Sequence, residues 1–224
     1  MLVSAVPVQS QIGRRRVPAV PEPTYWVTGS VGLFNANTVS DGGTHSRWDF
    51  GQSSTPRIRA SIEKAVSTNA SVGLTGTYAH VPFIYEATNV GIPDASEIGT
   101  TCISCDAHLN IVSLGGSFHY GGGIGLHQVI EASAGLLQYR DMKRDDDHAD
   151  LAPAGGNIDP YFTFGYGFGY SISPTMQLSV VQDLGLALHE SSGLSSDESN
   201  TLRERTLRVN FRYGFANHIR KRIK

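Results

Sequence analysis

The chain has 224 residues, of which 40% are hydrophobic and 17% are charged, and its formal net charge is −2. These values exclude a disordered chain and are typical of a single domain of ordinary size. No run of about 20 apolar residues is present, which excludes a transmembrane helix, and no broad basic block lies in the body of the chain, which excludes a nucleic-acid partner.

Residues 1–23 are predicted to form an N-terminal tail. Within Met1–Gln11, only Val3-Ser4-Ala5 matches the end of a secretory signal, whose basic and apolar regions are otherwise missing. We therefore expect that the true start lies upstream, or that this segment is a clipped remnant. The arginines and prolines that follow favour an extended chain up to the first strand.

Alternation of apolar and polar residues with a period of two dominates the chain from residue 25 onward, and this pattern is typical of β-strands with two different faces. It is clearest where aromatic residues alternate with glycine, serine and threonine. In chain order, the predicted strands are Tyr25–Phe34, Pro56–Val66, Ser71–Tyr85, His108–Tyr120, Leu126–Tyr139, Tyr161–Ile172, Met176–His189 and Thr206–Phe215.

The links between these strands alternate in length. Long links fall at residues 35–55, 86–107, 140–159 and 190–205, and short links fall at 67–70, 121–125 and 173–175. An up-and-down barrel that spans an outer membrane has short periplasmic turns and longer extracellular loops. The sequence therefore predicts an all-β fold, an eight-stranded antiparallel transmembrane barrel over residues 24–215.

Side-chain size decides which face of each strand points outward. Eight strands enclose barely enough room for side chains, so a column of aromatic rings is too bulky for the interior. The alternative, a soluble lipocalin-like barrel, would place those rings inside. We predict that the lipid-facing residues include Phe162, Phe164, Tyr166, Phe168, Val209 and Phe211.

The opposite faces carry few charges, and these include both signs. We predict that they interlock inside the barrel as a lumen charge network of Arg57, Arg59, Glu63, Glu131, Asp183, Arg208 and Arg212. If the last two strands pair from Met176 against Phe215, Asp183 lies directly opposite Arg208. A set of aromatic residues near strand ends would suit the headgroup level of a membrane: Tyr25, Trp26, Tyr78, Tyr120, Tyr139, Tyr170 and Tyr213.

The closing strand Leu207–Phe215 alternates and ends in an aromatic residue, and with the eight-strand pattern it resembles the small bacterial outer-membrane barrels of the OmpA/OmpX type, and more loosely the OmpW-like set. The chain departs from that pattern by continuing into a basic tail, residues 216–224. The resemblance implies a bacterial outer-membrane location, no cofactor, and partners among outer-membrane lipids and lipopolysaccharide. It also implies a non-enzymatic role in envelope integrity, adhesion or binding of a surface protein through the long loops.

Cys102 and Cys105 form a single C-x-x-C. A local disulfide in an oxidising compartment is the simplest interpretation, with a redox or metal role as the alternative.

Three further functions remain as alternatives: ester cleavage, metal binding and passage of a solute. His189 and Ser191 look like the His-x-Ser pair of the outer-membrane lipid A deacylase family, in which histidine would activate serine for attack on an ester. Asp145, Asp146 and Asp147 could offer oxygen ligands to calcium or magnesium, although a solvated acidic loop explains them as well. The OmpW-like resemblance adds passage of a small apolar solute through a lateral opening.

Overall fold

The computed structural model describes residues 22–51, 54–87, 102–152, 158–189, 194 and 199–215. Most of the predicted N-terminal tail, residues 1–21, and the whole basic C-terminal tail, residues 216–224, lie outside the described residues. In the part that is described, no helix is long and apolar enough to cross a membrane.

Ten strands form a single antiparallel sheet in the described part of the chain. They are β1 (Tyr25–Ala36), β2 (Val39–Asp41), β3 (Ser46–Asp49), β4 (Thr55–Ala65), β5 (Ala70–Ala87), β6 (Ser104–Tyr120), β7 (Gly125–Arg144), β8 (Ile158–Ser173), β9 (Met176–Leu188) and β10 (Thr201–Phe215).

Eight of these strands close into a barrel. β1 pairs with β4 on one side and with β10 on the other, and each strand from β4 to β10 pairs with the next. The predicted eight-stranded up-and-down barrel is therefore confirmed, with its short turns at one end and its long links at the other. At the long-link end, β5, β6, β7, β8 and β10 run two to five residues beyond their predicted limits.

The register between the last two strands differs from the prediction by two residues. Met176 pairs with Tyr213 rather than with Phe215, so Asp183 lies opposite Thr206 rather than opposite Arg208. A slip of two residues leaves every side chain on its own face, and for this reason the alternation in the sequence could not detect it.

β2 and β3 form a short ribbon that the sequence did not predict. β3 pairs with residues 84–87 of β5, and the amide of Ser40 in β2 donates to the carbonyl of Ser199. The ribbon thus continues the barrel wall above the ends of β1 and β4. Its strands are only three and four residues long, too short to give a readable alternation.

The outer surface near the short turns is an apolar belt. All six residues predicted to face lipid are exposed, at between 43% and 53% of their surface. The aromatic residues from Phe162 to Tyr170 of β8 all stand on this outer face, so the soluble alternative, with rings filling the interior, is wrong. Two of the predicted interfacial aromatic residues, Trp26 and Tyr139, instead point inward and are buried.

Toward the long links, the inner face of the barrel wall becomes apolar and the outer face gains polar residues. In the lower part of β5, the inward residues are polar, as at Thr75, and the outward residues are apolar, as at Leu74. In its upper part, the inward residues are Val81, Phe83 and Tyr85, which are buried. The outward residues there include His80. The barrel therefore has the solvent pattern of a membrane protein in its lower part and of a water-soluble protein in its upper part.

Candidate functional site: the filled lumen and its rim

An ion pair fills the lumen near the short turns. Arg212 of β10 donates from Nη2 to Glu63 Oε2 of β4 at 2.7 Å, and both side chains are only 6% exposed. The carboxylate also accepts from Ser71 at 2.5 Å. The guanidinium lies 4.1 Å from the centre of the Trp26 ring, which explains why this aromatic residue points inward.

Arg208 lies between two carboxylates at the middle of the lumen. Its Nε donates to Asp183 Oδ2 at 2.5 Å, and its Nη2 donates to Glu131. The contact with Asp183 forms although the two residues are not directly opposite, because the long arginine side chain reaches diagonally across the strands. His119 adds a 3.1 Å hydrogen bond to Glu131. Arg59 approaches the same carboxylates at 3.7 and 3.9 Å.

Above them, Arg57 forms a third group with two residues that sequence reasoning missed. Its Nη1 donates to Glu204 at 2.5 Å, its Nη2 donates to the Tyr161 hydroxyl at 2.9 Å, and that hydroxyl donates to Glu204. Glu204 was missed because the last strand was predicted to start at residue 206. Extending the alternation by two residues would have placed it inward.

All seven predicted lumen charges lie on the inner wall. Together with Glu204 they form four guanidinium groups and four carboxylates, so the formal charges of these eight side chains cancel. A cavity of about 10 Å³, room for roughly one water molecule, lies beside Arg57, Arg59, Asp183 and Arg208. The lumen at this level is filled by side chains.

An apolar plug occupies the barrel above the charges. Trp48, carried in by the β2–β3 ribbon, is fully buried and packs edge to face with Tyr139, with 5.2 Å between the ring centres. Phe50, Tyr85 and Leu109 are buried in the same cluster. The ribbon is therefore part of the core of the rim and not a loose loop.

His189 ties three elements together inside this plug. Its Nδ1 lies 3.0 Å from Asp159 of β8, its Nε2 lies 3.4 Å from Asp41 of β2, and its side chain is fully buried. Burial alone would lower the pKa of His189, but the two carboxylates outweigh it and raise the pKa to about 9. Burial would likewise raise the pKa of Asp41, yet hydrogen bonds from His189, Thr44 and Gly43 hold it below its usual value.

This arrangement bears on the proposed esterase pair. Both ring nitrogens of His189 face carboxylates in a buried site, whereas a general base needs one nitrogen free toward the nucleophile. Ser191 lies outside the described residues.

The acidic residues after β7 are paired with basic residues of β6 and β7. Asp145 lies 2.5 Å from His108 Nδ1, Asp146 lies 2.8 Å from Arg144, and Asp147 also contacts Arg144. Across the described ranges, no group of three histidine, cysteine or acidic side chains is placed to bind a metal ion. Cys102 and Cys105 are joined by a disulfide at the start of β6, and Cys102 packs against the apolar plug.

No family model and no curated protein matches the chain. Among solved structures, Neisserial surface protein A has a TM-score of 0.53 and 13% identity, over 86% of this chain and 97% of that one. The fold is that of a small outer-membrane barrel. The N-terminal β-barrel domain of OprF from Pseudomonas aeruginosa aligns at 14% identity and a TM-score of 0.41, over 86% of this chain and 99% of that one. Ail from Yersinia pestis aligns at 9% identity and a TM-score of 0.40, over the same shares.

The apolar belt and the closed pairing of the eight strands are what an outer-membrane barrel requires. A barrel with no free strand edge and an apolar belt satisfies every backbone group within lipid, and bacterial outer membranes hold such barrels. The chain is thus an outer-membrane barrel with a filled lumen, short turns at one end and a built rim at the other.

Proposed function

We propose that this barrel is a non-enzymatic surface protein that presents its long loops to a partner outside the cell. The observation that carries the proposal is the rim, in which the β2–β3 ribbon, β5, β6 and β7 stand above the apolar belt around a buried aromatic core. A rigid support of this kind holds the loop ends in fixed positions, which favours binding by lowering the entropy lost on association.

The interior supports a role other than transport. The cavity beside the paired charges holds roughly one water molecule, so a polar solute would have to break several buried ion pairs to pass. In the described part of the chain each of the eight barrel strands pairs with both of its neighbours, which supports surface binding over lateral passage of small apolar solutes.

The geometry around His189 supports a non-enzymatic role. The alternative of an ester-cleaving enzyme that uses His189 and Ser191 would need the imidazole released from Asp159 and Asp41. Substitution of Ser191 by alanine, followed by a lipid A deacylation assay, is expected to show no difference from the parent chain.

The main test is adherence of bacteria that display the chain. Replacing residues 191–198 or 89–100 with short glycine-serine turns is expected to reduce adherence to host-cell and bacterial surfaces at least several-fold, while heat-modifiable migration on gels shows that the barrel still folds. Proteoliposomes holding the parent chain should not swell in arabinose. Unchanged adherence with both loops shortened, or rapid swelling, would contradict the proposal.

A further inference from the structure

Two arginines on the outer face of β10 lie beside the apolar belt. Arg203 and Arg205 are exposed and alternate with the inward-facing Leu202, Glu204 and Thr206. Their side chains therefore point away from the lumen. They lie two residues apart, about 7 Å along the strand.

Their surroundings are apolar. Arg203 pairs across the sheet with Leu186 and Arg205 with Leu184, and both leucines belong to the exposed belt, at 47% and 54% exposure. Leu207, the next outward residue below Arg205, is 51% exposed. On the other side, Arg205 pairs with Asn35, which carries no charge. The arginines thus border the upper edge of the belt.

Neither guanidinium has an acidic partner among the described residues. By contrast, the exposed Arg47 and Arg144 each lie within 4 Å of a carboxylate, and the lumen arginines are paired with buried ones. A cation beside lipid-facing leucines is poorly supplied with water and gains from an anion at the headgroup level.

We propose that Arg203 and Arg205 bind a phosphate of the outer leaflet's phosphorylated glycolipid, with its acyl chains lying along Leu184 and Leu186. Guanidinium groups suit this ligand because their planar donors match phosphate oxygens and stay charged at all relevant pH values. The neighbouring leucines supply the apolar contact that a free phosphate ion could not use. This inference rests on the proposed orientation, with the long loops outside the cell.

Lys64 offers a matched control on the same outer face. It is exposed at the opposite end of the barrel, where it pairs with Tyr25 and Val72. In the proposed orientation it faces the periplasmic leaflet, which lacks the glycolipid. It therefore reports on orientation independently of the arginine pair.

The test extracts the full chain from native outer membranes in mild detergent and measures retained lipid A by native mass spectrometry. The double variant Arg203→Gln/Arg205→Gln is expected to retain about 30-fold less lipid A, since each cation near an anionic surface contributes roughly a factor of five. Lys64→Gln should match the parent chain, and Arg203→Lys/Arg205→Lys should keep part of the binding. Heat-modifiable migration checks folding of each variant.

A second arm uses purified chain in detergent with lipid A or with its dephosphorylated form. The phosphate site is supported if the parent chain binds lipid A but not the dephosphorylated form, and if the double glutamine variant binds neither. Equal binding of both lipids, or equal retention by parent and double variant, would overturn it. Loss only in Lys64→Gln would instead overturn the orientation on which the proposed function depends.

Discussion

Arg212 and Glu63 form the simplest ion pair of the lumen, and each is only 6% exposed. A buried pair of this kind is costly to break from one side, because the remaining charge loses its partner without gaining water. Replacing both partners removes that penalty. The pair therefore lends itself to a comparison of single and double variants.

We predict that Arg212→Met lowers the free energy of unfolding by about 3–5 kcal/mol, and that the double variant Arg212→Met/Glu63→Leu recovers most of this loss. Urea unfolding in lipid vesicles measures both. The exposed pair Arg47 and Glu86, 3.9 Å apart, is the control, and Arg47→Gln should cost less than about 1 kcal/mol. A double variant no more stable than the single one would show that the pair is not coupled.

The His189 contacts predict a dependence of stability on pH. Folding raises the pKa of this imidazole from 6.5 to about 9. The protonated imidazole therefore adds its full share to the free energy of unfolding below pH 6.5, and this share is lost as the pH rises through about 9. Between pH 6.5 and 9.5 the parent chain should lose about 3 kcal/mol more unfolding free energy than His189→Gln. Parallel curves for the two proteins would contradict this assignment. Urea titrations at three pH values suffice.

At the scale of the strands, close packing between β8 and β9 depends on glycine. A Cβ added at Gly167 would overlap the carbonyl oxygen of Val180, which belongs to the backbone and cannot move aside cheaply. Gly29, on the outer face of β1, has no atom within 4 Å of the same position.

We expect Gly167→Ala to destabilise the barrel by about 1–3 kcal/mol, and Gly29→Ala to change its stability by less than about 0.5 kcal/mol. Unfolding in vesicles compares the two variants directly. If both substitutions were neutral, the close approach of β8 and β9 at this point would be wrong.

The strands themselves could be predicted from the sequence because each keeps a period of two, and the link lengths gave the barrel topology. The register of β9 with β10 could not be predicted, since a slip of two residues leaves every side chain on the same face of the sheet. The sequence of upper β5 shows only part of the exchange of polarity, because His80 and Glu86 are polar whereas Pro82 and Ile84, which alternate with Val81, Phe83 and Tyr85, are not. Alternation alone also does not say which face meets lipid.

At the scale of the whole molecule, the lumen charges were found because charged residues are rare on the inward faces of these strands. The contacts of His189 with Asp159 and Asp41 could not be predicted, because they join three segments far apart in the chain. The β2–β3 ribbon that brings Asp41 into place is itself too short to predict.

The central claim is that lipid surrounds the lower barrel and water surrounds the rim, with the change of solvent falling along single strands. Spin labels at outward positions of two strands test it in lipid vesicles: Leu74 and Glu86 on β5, Leu136 and Arg140 on β7. We predict that oxygen reaches the labels at Leu74 and Leu136 better than a water-soluble nickel complex does, and that the order reverses at Glu86 and Arg140. Labels at Leu74 and Leu136 that the nickel complex reaches freely would contradict the membrane barrel.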